Sequence, residues 1–478
     1  MSVPRFAVVG HPNKGKSSIV ATLARDDRVA VSPVPGTTVR ADAYPMSVGG
    51  QVLYELVDTP GFQRSRRVLA DLRARAATAD ERPAAVRAFL DDPATPGRYP
   101  DEHALLGAVM GPSDEAEPAG ILYVVDGSAP YGPEYEAEME VLRWTGAPSL
   151  GLINPFDAHA SPGSDHTAAW ERALGQYFRI VRVFDPLTAD HAKRLGLLRA
   201  FGQMREPWRA PLERAVEVLE RDAAGRREDA AGVVARAVVA AMRFSVEKRL
   251  PPTGDPAAYR GELMEAWADG VRSIEARARD AVEELYDFVR LEREEEAAAG
   301  VPGGPGGADG PAGEDLFAEG SWSRFGATPA QLAATGAVFG GGVGVLADLH
   351  FAGLSLGAAA AAGALIGGAT AWAGATKAAK MKVLGRDLGG RLARVGPSGN
   401  LNLAFVLLGR ARLHLAAVRE RTHARRDRLV VPSEGEAWAR ADRSAVAAAL
   451  KPVMKKPADD AAAAESARAL KAWLLRDA

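Results

Sequence analysis

Residues 10–17 read GHPNKGKS and fit the phosphate-binding pattern G-x-x-x-x-G-K-[ST] at every fixed position. Glycines in such a loop let the backbone come close to phosphate oxygens, and the amides opening the next helix face the anion. The cradle comprises Gly10, Asn13, Lys14, Gly15, Lys16, Ser17 and Ser18. Lys16 is placed to reach the β- and γ-phosphates, and the Ser17 hydroxyl to take a position on Mg²⁺. An apolar run, Phe6-Ala7-Val8-Val9, precedes the loop as a buried strand, and residues 18–24 follow as a helix. The alternative, a chance Gly-rich turn, would not require that setting. The chemistry indicated is nucleotide binding.

A carboxylate belongs with this loop. Residues 51–57 read as a strand that ends in Asp58-Thr59-Pro60-Gly61, with Asp58 placed 42 residues after Lys16. An acidic residue at the tip of a buried strand can hold Mg²⁺ through water, and the tight turn lets the Gly61 amide approach the γ-phosphate. Residues 43–48 pair with that strand across Gly49-Gly50 as a hairpin. Further strands are expected at 121–126 (ILYVVD), at 149–153, running into Asn154-Pro155-Phe156-Asp157, and at 178–184. Helices are expected at 134–145, 166–174 and 190–201. This alternation predicts an α/β domain, a mostly parallel sheet with helices on both faces and its ligand beyond the carboxyl ends of the strands.

The set GHPNKGKS, PGTT (Pro35-Gly36-Thr37-Thr38), DTPG and N-P-F-D resembles the P-loop GTPase core, and within it the Era/TrmE group of bacterial GTPases, over roughly residues 1–205. The resemblance implies GTP and GDP as ligands and a Mg²⁺ held by Ser17, Thr38 and, through water, Asp58. It implies phosphate contact by Lys16 beside Thr37 and Thr38, and a guanine edge read by Asn154 and Asp157. The expected activity is hydrolysis of GTP to GDP and phosphate as a molecular switch, with Lys16, Thr38 and Asn13 as the catalytic set.

Three departures qualify this. Pro155 replaces the Lys whose stem usually covers the base. Asp157 can still accept from guanine N1 and the N2 amino group, which adenine does not supply, so GTP is preferred to ATP. No S-A-K-like base-contacting motif is visible near Asp185-Pro186. The interval from Asp58 to Asn154 is also long, with the excess at 63–118. That insertion is Arg-rich (Arg64, Arg66, Arg67, Arg73, Arg75) and helical near 65–79, 83–90 and 101–110. Two readings stand for it, a switch-coupled element and a solvated decoration.

Phe62 occupies the place where Ras-type proteins carry a water-orienting glutamine. The resemblance offers a substitute. Asn13 matches an Asn that can hold K⁺ beside the phosphates, which predicts slow hydrolysis stimulated by K⁺. The alternative is that Asn13 only shapes the loop. His11 is expected to point to solvent without a partner.

At 478 residues the chain is long for one core. A net charge of −2 gives no case for nucleic acid as a partner, and the absence of Cys excludes disulfides and thiolate metal sites. The N-terminus shows no charged-then-apolar leader, and a cytoplasmic location is expected. The GTPase domain is assigned to 1–207 and an all-α region to the remainder. Leu212, Val216 and Leu219 begin one apolar stripe, and Leu263, Trp267, Val271, Ile274, Ala278, Val282, Leu285 and Val289 form another, predicting a long helical pair over 208–299. A Gly/Pro-rich flexible linker covers 300–313, and a helical domain 314–478.

Within that domain, 327–376 contains only Asp348 and His350 as titratable residues, with glycines recurring every fourth position. Its arms have the length of bilayer-spanning helices, and a basic flank follows. Contact with the inner face of the cell membrane, peripheral or integral, and a packed soluble hairpin are both open. The partner expected otherwise is a protein effector. A poorly hydrolysing nucleotide-gated scaffold and a ribosome-associated assembly GTPase are the alternatives, the latter without a recognisable RNA-binding module.

Overall fold

The computed structural model describes residues 3–29, 40–113, 117–155, 166–250, 256–289, 291, 293–295, 391–431 and 439–476, with short pieces at 372–373, 382–383 and 386–387. The chain forms two compact units, Met1–Ala224 with Glu420–Asp427, and Gly225–Arg419 with Arg428–Ala478.

The first unit is built on a six-stranded sheet of β1 (Arg5–Gly10), β2 (Asp42–Val48), β3 (Gln51–Asp58), β4 (Gly120–Asp126), β5 (Ser149–Asn154) and β6 (Val181–Val183). The order is β2-β3-β1-β4-β5-β6, and only β2 runs antiparallel to its neighbour. β1 and β4 are almost entirely buried, which is why they read as continuous apolar runs and not as alternating ones.

The helices of this unit are α1 (Lys16–Ala24), α2 (Ser65–Arg73), α3 (Arg82–Asp91), α4 (Thr95–Arg98), α5 (Pro100–Met110), α6 (Glu134–Trp144), α7 (Thr167–Leu174), α8 (His191–Gly202) and the first part of α9 (Glu206–Arg243). Alternate residues of β1 divide between two cores. Phe6 and Val8 pack with Ile19, Leu122, Phe201 and Trp208, whereas Ala7 and Val9 pack with Phe62, Val68, Phe89 and Tyr123. The insertion after Asp58 supplies α2, α3 and α5 to the second core. Val68, Leu72, Val86, Phe89 and Leu105 are fully buried, each contributing about 1.5–3 kcal/mol relative to an exposed position. Its arginines Arg66, Arg67 and Arg73 take the opposite, exposed face of α2. The solvated-decoration reading is therefore corrected: these helices are one layer of the domain core.

The second unit holds the remainder of α9, α10 (Arg260–Leu285), α11 (Leu401–Glu420), α12 (Arg440–Lys455) and α13 (Asp460–Leu474). Leu263, Trp267, Val271 and Val282 of the expected stripe join Val234, Val238, Leu403, Val406, Leu450 and Leu470 in one core. Val289, at the end of the stripe, is 75% exposed.

The region is helical but not all-α. β7 (Val246–Leu250), β8 (Arg293–Glu295), β9 (Trp372–Ala373), β10 (Lys382–Val383), β11 (Arg386–Asp387), β12 (Arg391–Val395) and β13 (Leu429–Val431) make small sheets, in the orders β7-β12-β9, β10-β11 and β13-β8. β12 buries Ala393 and Val395 and exposes Leu392 and Arg394, a period of two too short to stand out beside long helices. The linker 300–313 lies outside the described residues, as does 327–376 apart from Trp372 and Ala373, which are extended. Among the described residues one helix, Leu401–Glu420, is long and apolar enough to cross a membrane, with a mean hydropathy of 1.4. Its residues 403–408 all lie in the hydrophobic core.

A buried ionic cluster links two of these helices. Glu283 accepts from His414 Nε2 at 2.8 Å and from Arg293 Nε at 2.6 Å. Burial holds the His414 imidazole below its ordinary value, against the hydrogen bond to Glu283. The unfolded chain takes up a proton near pH 6.5 that the folded chain resists, so stability should fall as pH drops below about 6.5. Thermal melts between neutral pH and pH 5 should show this slope. His414→Gln should flatten it.

Candidate nucleotide-binding site

β1 delivers the chain to the carboxyl edge of the sheet, where Gly10 begins the loop. A Cβ on Gly10 would lie 2.4 Å from the Val124 carbonyl oxygen on β4, so the neighbouring strand excludes any side chain there. Asn13 adopts a left-handed backbone at φ 58°, a region Asn tolerates better than most residues. The first bond of α1 runs from Ile19 N to Gly15 O at 3.0 Å. The amides of Lys16, Ser17 and Ser18 therefore open the helix without an intrahelical acceptor, the arrangement that receives phosphate oxygens.

Lys16 is 7% exposed, and its Nζ donates to the His11 carbonyl at 2.9 Å. Burial brings its ammonium down to about 8, while the negative charges of Asp58 and Glu138 pull the other way. Ser17 Oγ donates to Asp58 Oδ2 at 2.7 Å, and Asp58 is 3% exposed at the end of β3. A hydroxyl and a carboxylate side by side are hard oxygen donors of the kind Mg²⁺ selects. Among the described residues no group of three or more His, Asp or Glu could hold a metal unaided. An ion here would share its shell with ligand oxygens.

The acidic turn closes directly onto the loop. A Cβ on Gly61 would lie 2.6 Å from Pro12 N, and Phe62 N donates to Gly10 O at 3.2 Å. The Phe62 ring is 1% exposed in the core below, so this position orients no water.

The Asn154 amide donates from Nδ2 to the Lys14 carbonyl at 3.2 Å, tying the end of β5 to the phosphate loop. Lys14 Nζ in turn meets Asp126 Oδ2 at 3.1 Å. Burial would raise the Asp126 carboxyl, but hydrogen bonds from Ser128 and Lys14 outweigh it and hold the group below its ordinary value. The loop after β6, where no base-contacting motif is legible, is turned by Asp185, whose Oδ1 accepts from Leu187 N at 2.8 Å. Thr37, Thr38 and Asp157 lie outside the described residues.

His11 is corrected by the structure. Its Nδ1 pairs with Glu138 Oε1 at 2.8 Å, and its ring meets Tyr135 edge-on at 5.5 Å. Glu138 is 1% exposed, receives Tyr123 OH at 3.0 Å, and has its carboxyl raised by burial. One signal was available in the sequence: Glu138 stands on the buried face of α6 with Tyr135, Met139 and Leu142, and a carboxylate in an apolar stripe calls for a partner.

The family model described as 50S ribosome-binding GTPase matches residues 5–145, and that described as Domain of unknown function (DUF3482) matches residues 171–475. GTPase Der of Azoarcus sp. (strain BH72) is 48% identical over 65 residues, 14% of this chain and 14% of its own length. GTPase Der of Agathobacter rectalis is 41% identical over 92 residues, 18% of this chain and 21% of its own. The chain thus spans under a quarter of these curated relatives. Among solved structures, an Aquifex aeolicus Era variant bound to GDP·AlF4⁻ aligns over 60% of this chain and 90% of its own, with 14% identity and a TM-score of 0.27. NFeoB from S. thermophilus bound to GDP·AlF4⁻ and K⁺ aligns over 60% of this chain and 89% of its own, with 16% identity and a TM-score of 0.24. The loop, the acidic turn, the sheet order and the match over residues 5–145 agree in giving this part of the chain the fold of a P-loop GTPase domain.

Proposed function

The chain belongs to the DUF3482 family, and on that premise we propose that its P-loop domain hydrolyses GTP to GDP and phosphate and acts as a molecular switch for the helical region behind it. The observation that carries this is the seating of the acidic turn on the phosphate loop: Ser17 Oγ on Asp58 at 2.7 Å, with Gly61 against Pro12. A γ-phosphate bound in that loop meets the Gly61 amide, so the turn is placed to respond to its loss. The insertion follows this turn at once, and buried Glu102 accepts from the amides of Gln63 and Arg64. That gives the turn a fixed lever into α5.

Ser17, Asp58 and Thr38 are the residues that would hold Mg²⁺, which offsets phosphate charge when bound. Lys16 binds the phosphates as a buried cation, and Asp157 with Asn154 selects guanine. The narrower likeness to the Era/TrmE group rests on the motifs themselves, GHPNKGKS, PGTT and DTPG.

Because Phe62 orients no water, we assign charge compensation during hydrolysis to a K⁺ held near Asn13. The left-handed backbone at Asn13 by itself accounts for an Asn, so turnover decides the matter. Single-turnover GTP hydrolysis should be faster in potassium than in sodium buffer, and Asn13→Ala should remove the difference. Equal rates would remove the K⁺ assignment, and GTP left uncleaved in both buffers would leave the second reading, a poorly hydrolysing nucleotide-gated scaffold, which the burial of Phe62 favours. Membrane contact through 327–376 is tested by flotation of the full-length protein with anionic vesicles. Ribosome association is tested by co-sedimentation with ribosomal particles.

A further inference from the structure

The segment Glu420–Asp427 belongs to the first unit although it lies some 200 residues beyond the rest of it. α11 stops at Glu420, and the chain then buries four consecutive residues: Arg421, Thr422, His423 and Ala424 are 5, 1, 3 and 2% exposed. Ala424 joins the core that contains Ile19 and Leu23 of α1. The polar contacts of the strap converge on two places. His423 Nδ1 donates to Asp27 Oδ1 at 2.8 Å, and Arg426 Nη2 donates to the Val29 carbonyl at 2.7 Å, with its Nη1 3.6 Å from Asp27. Thr422 Oγ1 reaches the Leu187 carbonyl at 3.3 Å. Arg421 folds the strap on itself by donating to the carbonyls of Arg425 and Asp427.

Those two places meet the phosphate-loop helix, one just after its end and the other through Thr22 Oγ1, which donates to the Pro186 carbonyl at 2.8 Å. Asp27 to Val29 lead out of α1 into the segment that carries Thr37 and Thr38, and Leu187 belongs to the loop after β6, the last strand of the sheet and neighbour of β5. Burying a histidine costs free energy unless it is paired, and His423 spends that pairing on Asp27, just beyond the phosphate-loop helix, while the more exposed Arg426 adds its bond to Val29 of the same turn.

We propose that His423 and Arg426 are positioning residues of the nucleotide site, holding the Asp27–Val29 turn and the loop at Leu187 so that bound guanine nucleotide is released slowly. This rests on the guanine-nucleotide reading above. The strap continues into α11 on one side and β13 on the other, both in the second unit, so an event that draws on either element reaches the turn through the chain itself.

The test uses the full-length protein loaded with N-methylanthraniloyl-GDP in Mg²⁺ buffer and chased with excess GDP in a stopped-flow instrument. His423→Ala and Arg426→Ala should each speed release about tenfold, the loss of one charge-assisted hydrogen bond. Association rate and the melting temperature of the nucleotide-free protein should change little. His423→Asn, which keeps a donor near the Nδ1 position, should restore slow release, and a purely structural role would not produce that pattern. Asp27→Asn reads the same contact from the other side should a strap variant fail to fold. Release indistinguishable from wild type in a folded variant overturns the proposal alone. Absence of guanine-nucleotide binding in the wild-type protein overturns the functional reading with it.

Discussion

Lys16→Ala is expected to weaken GTP and GDP binding by at least about a hundredfold, the effect of removing one partner of a desolvated charge pair. The cause is local. Lys16 is a cation buried to 7% exposure that donates to the His11 carbonyl and feels the pull of Asp58 and Glu138. Burial already brings its ammonium down to about 8, so the folded loop carries a charge it is poorly equipped to solvate until phosphate arrives. The alanine variant should therefore melt no lower than wild type while losing nucleotide. Fluorescent-nucleotide titration with a parallel thermal melt separates this from misfolding. Retained binding would mean that another cation meets the phosphates.

Asp157→Asn is expected to lower GTP affinity by about thirtyfold or more, because guanine N1–H and its N2 amino group then face an amide where a carboxylate accepted both. The same change should improve binding of xanthosine triphosphate, whose C2 carbonyl accepts from the new amide. Asn154 holds its end of β5 to the Lys14 carbonyl, so Asn154→Ala should weaken both nucleotides together instead of exchanging them. GTP affinity unchanged in Asp157→Asn would place the base elsewhere.

The phosphate loop was legible because its chemistry is local. Gly10, Lys16 and Ser17 sit within one strand–loop–helix unit, and Asp58 ends the strand paired to it; the sequence assigns Ser17 and Asp58 to one Mg²⁺, and the structure brings the two together. The parallel sheet was legible for a related reason: strands covered on both faces must be apolar throughout, and ILYVVD leaves little choice. What escaped depends on distant pairings. Glu138 reaches His11 across 127 positions, and nothing in the loop itself announces a carboxylate on α6. His423 reaches Asp27 across 396 positions, from inside a stretch whose composition reads as more Arg-rich helix. The helix ends at Glu420, and the four residues that follow are buried in the first unit. The small sheets of the second unit escaped because strands as short as β12 give too few alternations to separate a period of two from helix. The insertion's place in the core is hard to read for a compositional reason: its arginines are conspicuous, whereas Val68, Leu72 and Phe89, which fix that place, are spread over separate helices.

The most direct test of the account measures affinity and single-turnover hydrolysis of GTP against ATP by the full-length protein in potassium and Mg²⁺. Tight GTP and GDP binding, weak ATP binding, and release of phosphate from GTP that Lys16→Ala abolishes are the expected results. Equal affinity for ATP, or bound GTP that remains uncleaved over many hours in potassium, would contradict them.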